Sequence, residues 1–148
     1  LLRDDDTLHV VFTAGPDEQP LQNAIVSAAQ ARQPSTADRI LRCGDVGLAE
    51  LRALIDRAAV YIGGDSGPLH IAATSATPIV ALFGPTPAER SMPWRSSAVP
   101  AIALDAGPLP CRPCNQRHCV PGDFRCLTGI SVDDVAAAAT TLLARARS

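Results

Sequence analysis

Two apolar runs, "AVYI" at 59–62 and "PIVALF" at 78–83, each break off at a glycine-led turn, "GGDSG" and "GPT", with an alanine-rich segment between them. Short apolar runs rich in β-branched residues and bounded by turn residues read as buried strands. The segment between them is long enough for a crossover helix. This βαβ-like passage points to parallel strands joined by helices on the sheet faces.

The rest of the chain repeats the pattern. "LHVVFT" at 8–13 predicts a strand that stops at Ala14-Gly15-Pro16, and Leu21, Ala24, Ile25 and Ala28 then recur at helical spacing until Gln33-Pro34. Residues 40–43 predict a second strand, with Cys43 as a small core residue at its end. Leu48, Leu51, Leu54, Ile55 and Ala58 predict an amphipathic helix, and 99–104 a fifth strand. Ser131 followed by Asp134 resembles a capping box opening a C-terminal helix over about 131–147. Val132, Val135, Ala136, Ala139, Leu142 and Leu143 line one of its faces. Residues 105–130, rich in Pro, Gly, Cys and Arg, predict an irregular loop. The expected fold is therefore α/β, a Rossmann-like parallel sheet with crossover helices, in one domain over 1–148.

Composition narrows the function. At 148 residues the chain can bury a core of its own. A net charge of −2 gives no footprint for nucleic acid or an anionic membrane. No apolar run reaches the length of a membrane span. "LLRDDDTLHV" reads neither as a signal peptide nor as a natural start, so a piece of a longer protein is expected. Every one of the 13 basic residues is arginine.

Ligands of parallel sheets sit beyond the carboxyl ends of the strands. Turn-rich segments fall at three such ends, 14–18, 63–68 and 84–86, and are expected to converge on one edge. The middle one carries the most chemistry: Gly63-Gly64 for a sharp turn, Asp65 or Ser66 to cap a helix starting near Pro68, and Gly67 for close approach of a ligand. A helix N-terminus there is an anion site, and His70 is placed to hydrogen-bond a phosphate oxygen. Capping alone and an ordinary buried histidine would account for the same residues.

"GGDSGPLHIAATSATPIVALFGPT" closely resembles the donor-site signature of glycosyltransferase family 9, the ADP-heptose:lipopolysaccharide heptosyltransferases. In that family an Asp-Ser/Thr-Gly-x-x-His turn precedes an Ala-rich helix, a Pro, a hydrophobic strand and a Gly-Pro-Thr/Ser loop. Here these are Asp65, Ser66, Gly67 and His70, then Pro78, then Gly84-Pro85-Thr86. "VVFTAGPDE" and "GLAELRALIDRAAVYIG" are similar to further family segments.

The resemblance implies a GT-B architecture with this chain as its C-terminal, donor-binding half. It implies ADP-heptose as donor and a lipopolysaccharide core acceptor held by an N-terminal domain outside this chain. Transfer would be inverting, with no metal and no cofactor, at the cytoplasmic side, peripheral to the inner face of the inner membrane. Asp65, Ser66, Gly67 and His70 would hold the diphosphate and sugar, Glu18 the ribose, and Val46 the adenine pocket, with Gly84 and Thr86 closing the site. The family's phosphate-binding Lys and its catalytic base, an Asp, have no counterpart here and are expected upstream of residue 1. The chain alone is expected to be inactive. A GT-B transferase using another nucleotide sugar is the alternative.

Cys111, Cys114, Cys119 and Cys126 form C-x2-C-x4-C-x6-C. The spacing suits zinc, an iron–sulfur cluster, two disulfides or reduced surface thiols, the last being the expected state. A zinc knuckle for nucleic acid would want a basic patch with interleaved aromatics. Arg112, Arg117 and Arg125 are present, but Phe124 is the loop's one aromatic. A dinucleotide-dependent oxidoreductase would want G-x-G-x-x-G after the first strand, and "TAGPDEQP" lacks it.

Overall fold

Every strand among the described residues pairs in parallel. The structure is a computed structural model and describes residues 1–114 and 118–146. It divides into two compact units, Leu1–Gly47 and Leu48–Ser148, each described by itself below.

In the first unit, β1 (Val10–Phe12) leads through a 3-10 turn, Pro16–Glu18, into α1 (Gln19–Arg32). A second 3-10 segment, Pro34–Arg39, then enters β2 (Ile40–Arg42), with Val10 opposite Ile40 and Phe12 opposite Arg42. The helix forms as expected but buries a different face. Leu21 and Ile25 are 62% and 43% exposed, whereas Gln22 and Val26 are buried. Gln22 and Val26 lie one turn apart on the same side. The Gln22 amide donates to the Phe12 carbonyl at 2.7 Å and the Cys43 carbonyl at 3.1 Å, and Gln30 donates to Ile40 at 2.9 Å. Strand-end carbonyls inside the unit need donors, and glutamine supplies them where leucine cannot. Cys43 is half-buried rather than a core residue. Its amide extends the strand pairing by one residue, donating to Phe12 at 2.8 Å. Arg39 ties down the chain's first residues through the carbonyls of Leu2, Asp5 and Leu8.

The second unit runs α2 (Leu48–Asp56), β3 (Tyr61–Gly64), α3 (Gly67–Ala73), β4 (Ile79–Phe83), α4 (Ala88–Ser91), β5 (Ala101–Asp105), α5 (Arg125–Thr128) and α6 (Val132–Ala146). The sheet order is β3-β4-β5, with Gly64 opposite Leu82 and Phe83 opposite Asp105. In the central strand, Ile79, Val80, Ala81 and Phe83 are fully buried, the continuous apolar run expected of a parallel strand covered on both faces. On one face Val80 packs with Ala138, Ala139 and Leu142 of α6, flanked by Val60, Leu82, Ile102, Leu104 and Val135. Ser131 accepts the Asp134 amide at 3.3 Å, the capping contact its position suggests. Val132, expected on the inner face, is 82% exposed because it opens the first turn, before the face meets the sheet. Residue 147 lies outside the described residues. The fifth strand starts two residues later than expected and takes in Asp105, so the irregular loop begins with a strand residue. That loop also holds α5, one helical turn where none was expected. No helix among the described residues is long and apolar enough to cross a membrane.

Candidate functional site

β3 and β4 end side by side, and the turns that follow them meet. The Asp65 amide adds one more step to the strand pairing, donating to the Leu82 carbonyl at 3.2 Å, before the chain enters α3. Gly63 and Gly64, expected in the turn, are instead the last two residues of β3. Space explains Gly63: a Cβ there would stand 2.7 Å from Cζ of Tyr61, two residues back on the same strand face. Burial holds the Tyr61 phenol above its ordinary pKa.

Ser66 takes the N-cap position of α3 with extended backbone (φ −159°, ψ 172°), but neither it nor Asp65 caps the helix by side chain. The Ser66 hydroxyl donates to the Gly64 carbonyl at 3.2 Å, and the Asp65 carboxylate is taken by the Thr86 hydroxyl at 2.5 Å. The backbone satisfies the helix start instead, with the Leu69 and His70 amides donating to Ser66 at 3.1 and 3.4 Å. Leu69 is buried and anchors α3, while Asp65, Ser66, Gly67 and His70 are exposed. The histidine is thus a surface group, not a core one. Across from it Gly84 is buried and Thr86 half-buried. Of the expected site residues in this unit, Asp65 and Thr86 are joined directly.

The third strand end supplies residues that sequence patterns missed. Asp105, the last residue of β5, accepts the Gly107 amide at 2.7 Å and pairs with Arg112 at 3.0 Å. Arg112 is all but buried, its side chain 8% exposed. It donates to the Gly107 carbonyl at 2.9 Å and to the Thr86 carbonyl at 3.3 Å. The Cys114 amide donates to Pro85 at 3.0 Å, and Leu127 lies against Gly84, where a Cβ would come within 2.8 Å of its Cγ. The cysteine-rich loop therefore seats on all three residues of the Gly84–Thr86 turn. An aspartate closing the last apolar run was the one visible signal for this contact. Nothing in the spacing marks Arg112 or Leu127.

The Gly107 amide, with help from Arg112, holds the Asp105 carboxyl below its ordinary pKa. A carboxylate lowered in the folded state stabilises fully above its unfolded value near about 3.9, and that contribution is lost as pH falls through the folded value. Asp105→Asn should therefore flatten the acid limb of thermal stability measured from about pH 6 down to about pH 2. Asp123, held low by Arg125, remains to give a residual slope. An unchanged acid limb in Asp105→Asn would show that the Gly107 and Arg112 contacts to this carboxylate carry no pH-dependent stability.

Glu18 and Val46 belong to the first unit. Glu18 is exposed, closes the 3-10 turn after β1 and accepts the Gly15 amide at 3.1 Å, while Val46 is half-buried. Among the described residues the five cysteines are free thiols, with Cys111 exposed, and no three potential ligands stand together as a metal site. Arg112 is taken up inside the loop and Arg125 pairs with Asp123, so neither offers a free basic patch to nucleic acid. Arg117 lies outside the described residues.

The chain as a whole is similar to known proteins. Residues 2–122 match the model of glycosyltransferase family 9 (heptosyltransferase). Lipopolysaccharide heptosyltransferase 3 of Escherichia coli is 39% identical over 120 residues, covering 76% of this chain and 34% of that protein. Lipooligosaccharide heptosyltransferase 2 of Campylobacter jejuni is 29% identical over 134 residues, covering 90% of this chain and 40% of the relative. A solved glycosyltransferase family 9 structure from Veillonella parvula superposes with a TM-score of 0.65 at 27% identity, over 93% of this chain and 37% of that one. The chain thus spans between a third and two-fifths of the length of these proteins. The match takes in the strands whose ends carry the Asp65–His70 and Gly84–Thr86 turns, and the chain belongs to glycosyltransferase family 9.

Proposed function

We propose that this chain is the donor-binding half of a GT-B glycosyltransferase that moves heptose from ADP-heptose to a lipopolysaccharide core acceptor. The observation that carries the reading is the Thr86–Asp65 hydrogen bond, which joins two turns at the carboxyl edge of a parallel sheet in a chain of this family. That edge is where α/β sheets bind ligands. Asp65, an acceptor-only carboxylate, suits the hydroxyls of a sugar, and the exposed His70 suits a phosphate oxygen. Ser66 and Gly67 let the diphosphate approach the main chain, and Gly84 and Thr86 border it from the next strand. Glu18 would hold the ribose and Val46 the adenine. α3 has only seven residues, so its dipole adds little, and stabilisation of the departing diphosphate falls to placed hydrogen-bond donors.

The chain has no lysine to neutralise a diphosphate. The general base and the acceptor site belong, on this reading, to an N-terminal domain, and transfer is inverting and independent of metal. The enzyme works at the cytoplasmic side, peripheral to the inner membrane.

Calorimetric titration of the 148-residue chain with ADP should show weak, saturable binding. A heptose-transfer assay on the same sample should show no turnover, since loss of a general base alone costs about 10²–10⁴-fold. Turnover would place the base within residues 1–148. A folded chain that responds to neither ADP nor UDP would overturn the donor reading.

A further inference from the structure

Between the cysteine-rich loop and the Asp65 turn runs an unbroken line of polar contacts: Asp105 to Arg112 at 3.0 Å, Arg112 to the Thr86 carbonyl at 3.3 Å, and the Thr86 hydroxyl to Asp65. Arg112 is the hinge of that line. Its side chain is more than nine-tenths buried although it sits in a loop, and its Nε is buried with no partner. Burying a guanidinium with one donor unmet is costly, so the position is held by the contacts its other nitrogens make. Two of those contacts, to Asp105 and Gly107, fix the guanidinium to the end of β5, and the third reaches the turn that follows the neighbouring strand β4. The planar fork of arginine suits this bridging, because one rigid group addresses both loops at once.

We propose that Arg112 is a positioning residue for the donor turn. It fixes the Thr86 backbone so that the Thr86 hydroxyl holds the exposed Asp65 carboxylate in one orientation. An exposed aspartate left to itself samples several rotamers, and ordering it beforehand lowers the cost of binding. Lysine at 112 would offer its three donors from a single nitrogen, whereas the observed site uses two separate nitrogens, NH1 and NH2, toward different partners. The proposal rests on the reading of Asp65 as a donor-site residue.

The test uses Arg112→Ala, Arg112→Lys, Thr86→Val and the double variant Arg112→Ala/Thr86→Val in the 148-residue chain, with folding checked by circular dichroism. The first readout needs no ligand: the carboxyl 13C resonance of Asp65. Arg112→Ala and Thr86→Val should displace it alike, the double variant no further, and Arg112→Lys should restore it in part. The second readout is ADP-heptose affinity, expected to fall about 2- to 30-fold in Arg112→Ala, the range for mutations that act through a neighbour. The two single losses should not add. An Asp65 resonance unmoved by Arg112→Ala in folded protein overturns the proposal. So does an ADP-heptose affinity that falls with Asp65→Ala but not with Arg112→Ala. If Asp65→Ala itself leaves ADP-heptose binding unchanged, the donor reading fails instead, and the proposal loses its basis with it.

Discussion

Replacing Phe83 by alanine should lower the unfolding free energy by about 3–5 kcal/mol, the cost of emptying a fully buried aromatic site. Phe83 closes the central strand β4 and is fully buried, so few neighbours can collapse into the space it leaves. It also sits immediately before Gly84, at the base of the turn that carries Thr86. Urea titration should show a lower midpoint with an unchanged slope, and the turn should lose its fixed geometry along with the stability. Val132→Ala, at an 82% exposed position on α6, is the control and should change stability by no more than about 0.5 kcal/mol. A Phe83→Ala loss as small as that control's would mean that the end of β4 is not part of the packed core.

Asp65→Ala and His70→Ala should each weaken ADP-heptose binding by about 1.5–3 kcal/mol, roughly 12- to 160-fold, the usual range for hydrogen bonds involving charged groups. Both side chains are exposed, so the fold should survive either change. Thr86→Val should follow Asp65→Ala in direction, since it removes the hydroxyl that holds the carboxylate. Calorimetry alongside thermal melts separates binding from folding. If His70→Ala unfolds the chain while affinity per folded molecule is retained, His70 is structural and has no part in the site.

The elements that can be read from residues alone are those whose environment is simple. β4 is buried on both faces, so five apolar residues in a row announce it, and α6 shows a regular apolar stripe over a long run. α1 misleads because Gln22 and Gln30 turn inward to reach strand carbonyls, leaving Leu21 and Ile25 outside. Hydrophobicity ranks side chains by transfer to an apolar medium and is blind to unmet carbonyls nearby. At the site the motif residues Asp65, Ser66, Gly67, His70, Gly84 and Thr86 follow from the family signature, and two of its glycines turn out to do other work. Gly63 leaves room for Tyr61, and Gly84 leaves room for Leu127. The Asp105–Arg112 pair stays hidden because its partners are carbonyls and a carboxylate brought together by tertiary structure, with no repeat or spacing to advertise them.

The seat of Leu127 on Gly84 bears on how chimeras between relatives must be cut. Grafting another transferase's Gly-Pro-Thr turn while keeping this chain's cysteine-rich loop, or the reverse, sets a new surface against an old one. Any side chain at 84 meets Leu127, and any change in the loop's path breaks the Arg112 and Cys114 contacts to Thr86 and Pro85. The transferable cassette is discontinuous, residues 84–86 together with 105–129. Breakpoints placed between those two pieces should yield hybrids that fold poorly, whereas exchanging both together should carry the turn's geometry intact into a new host.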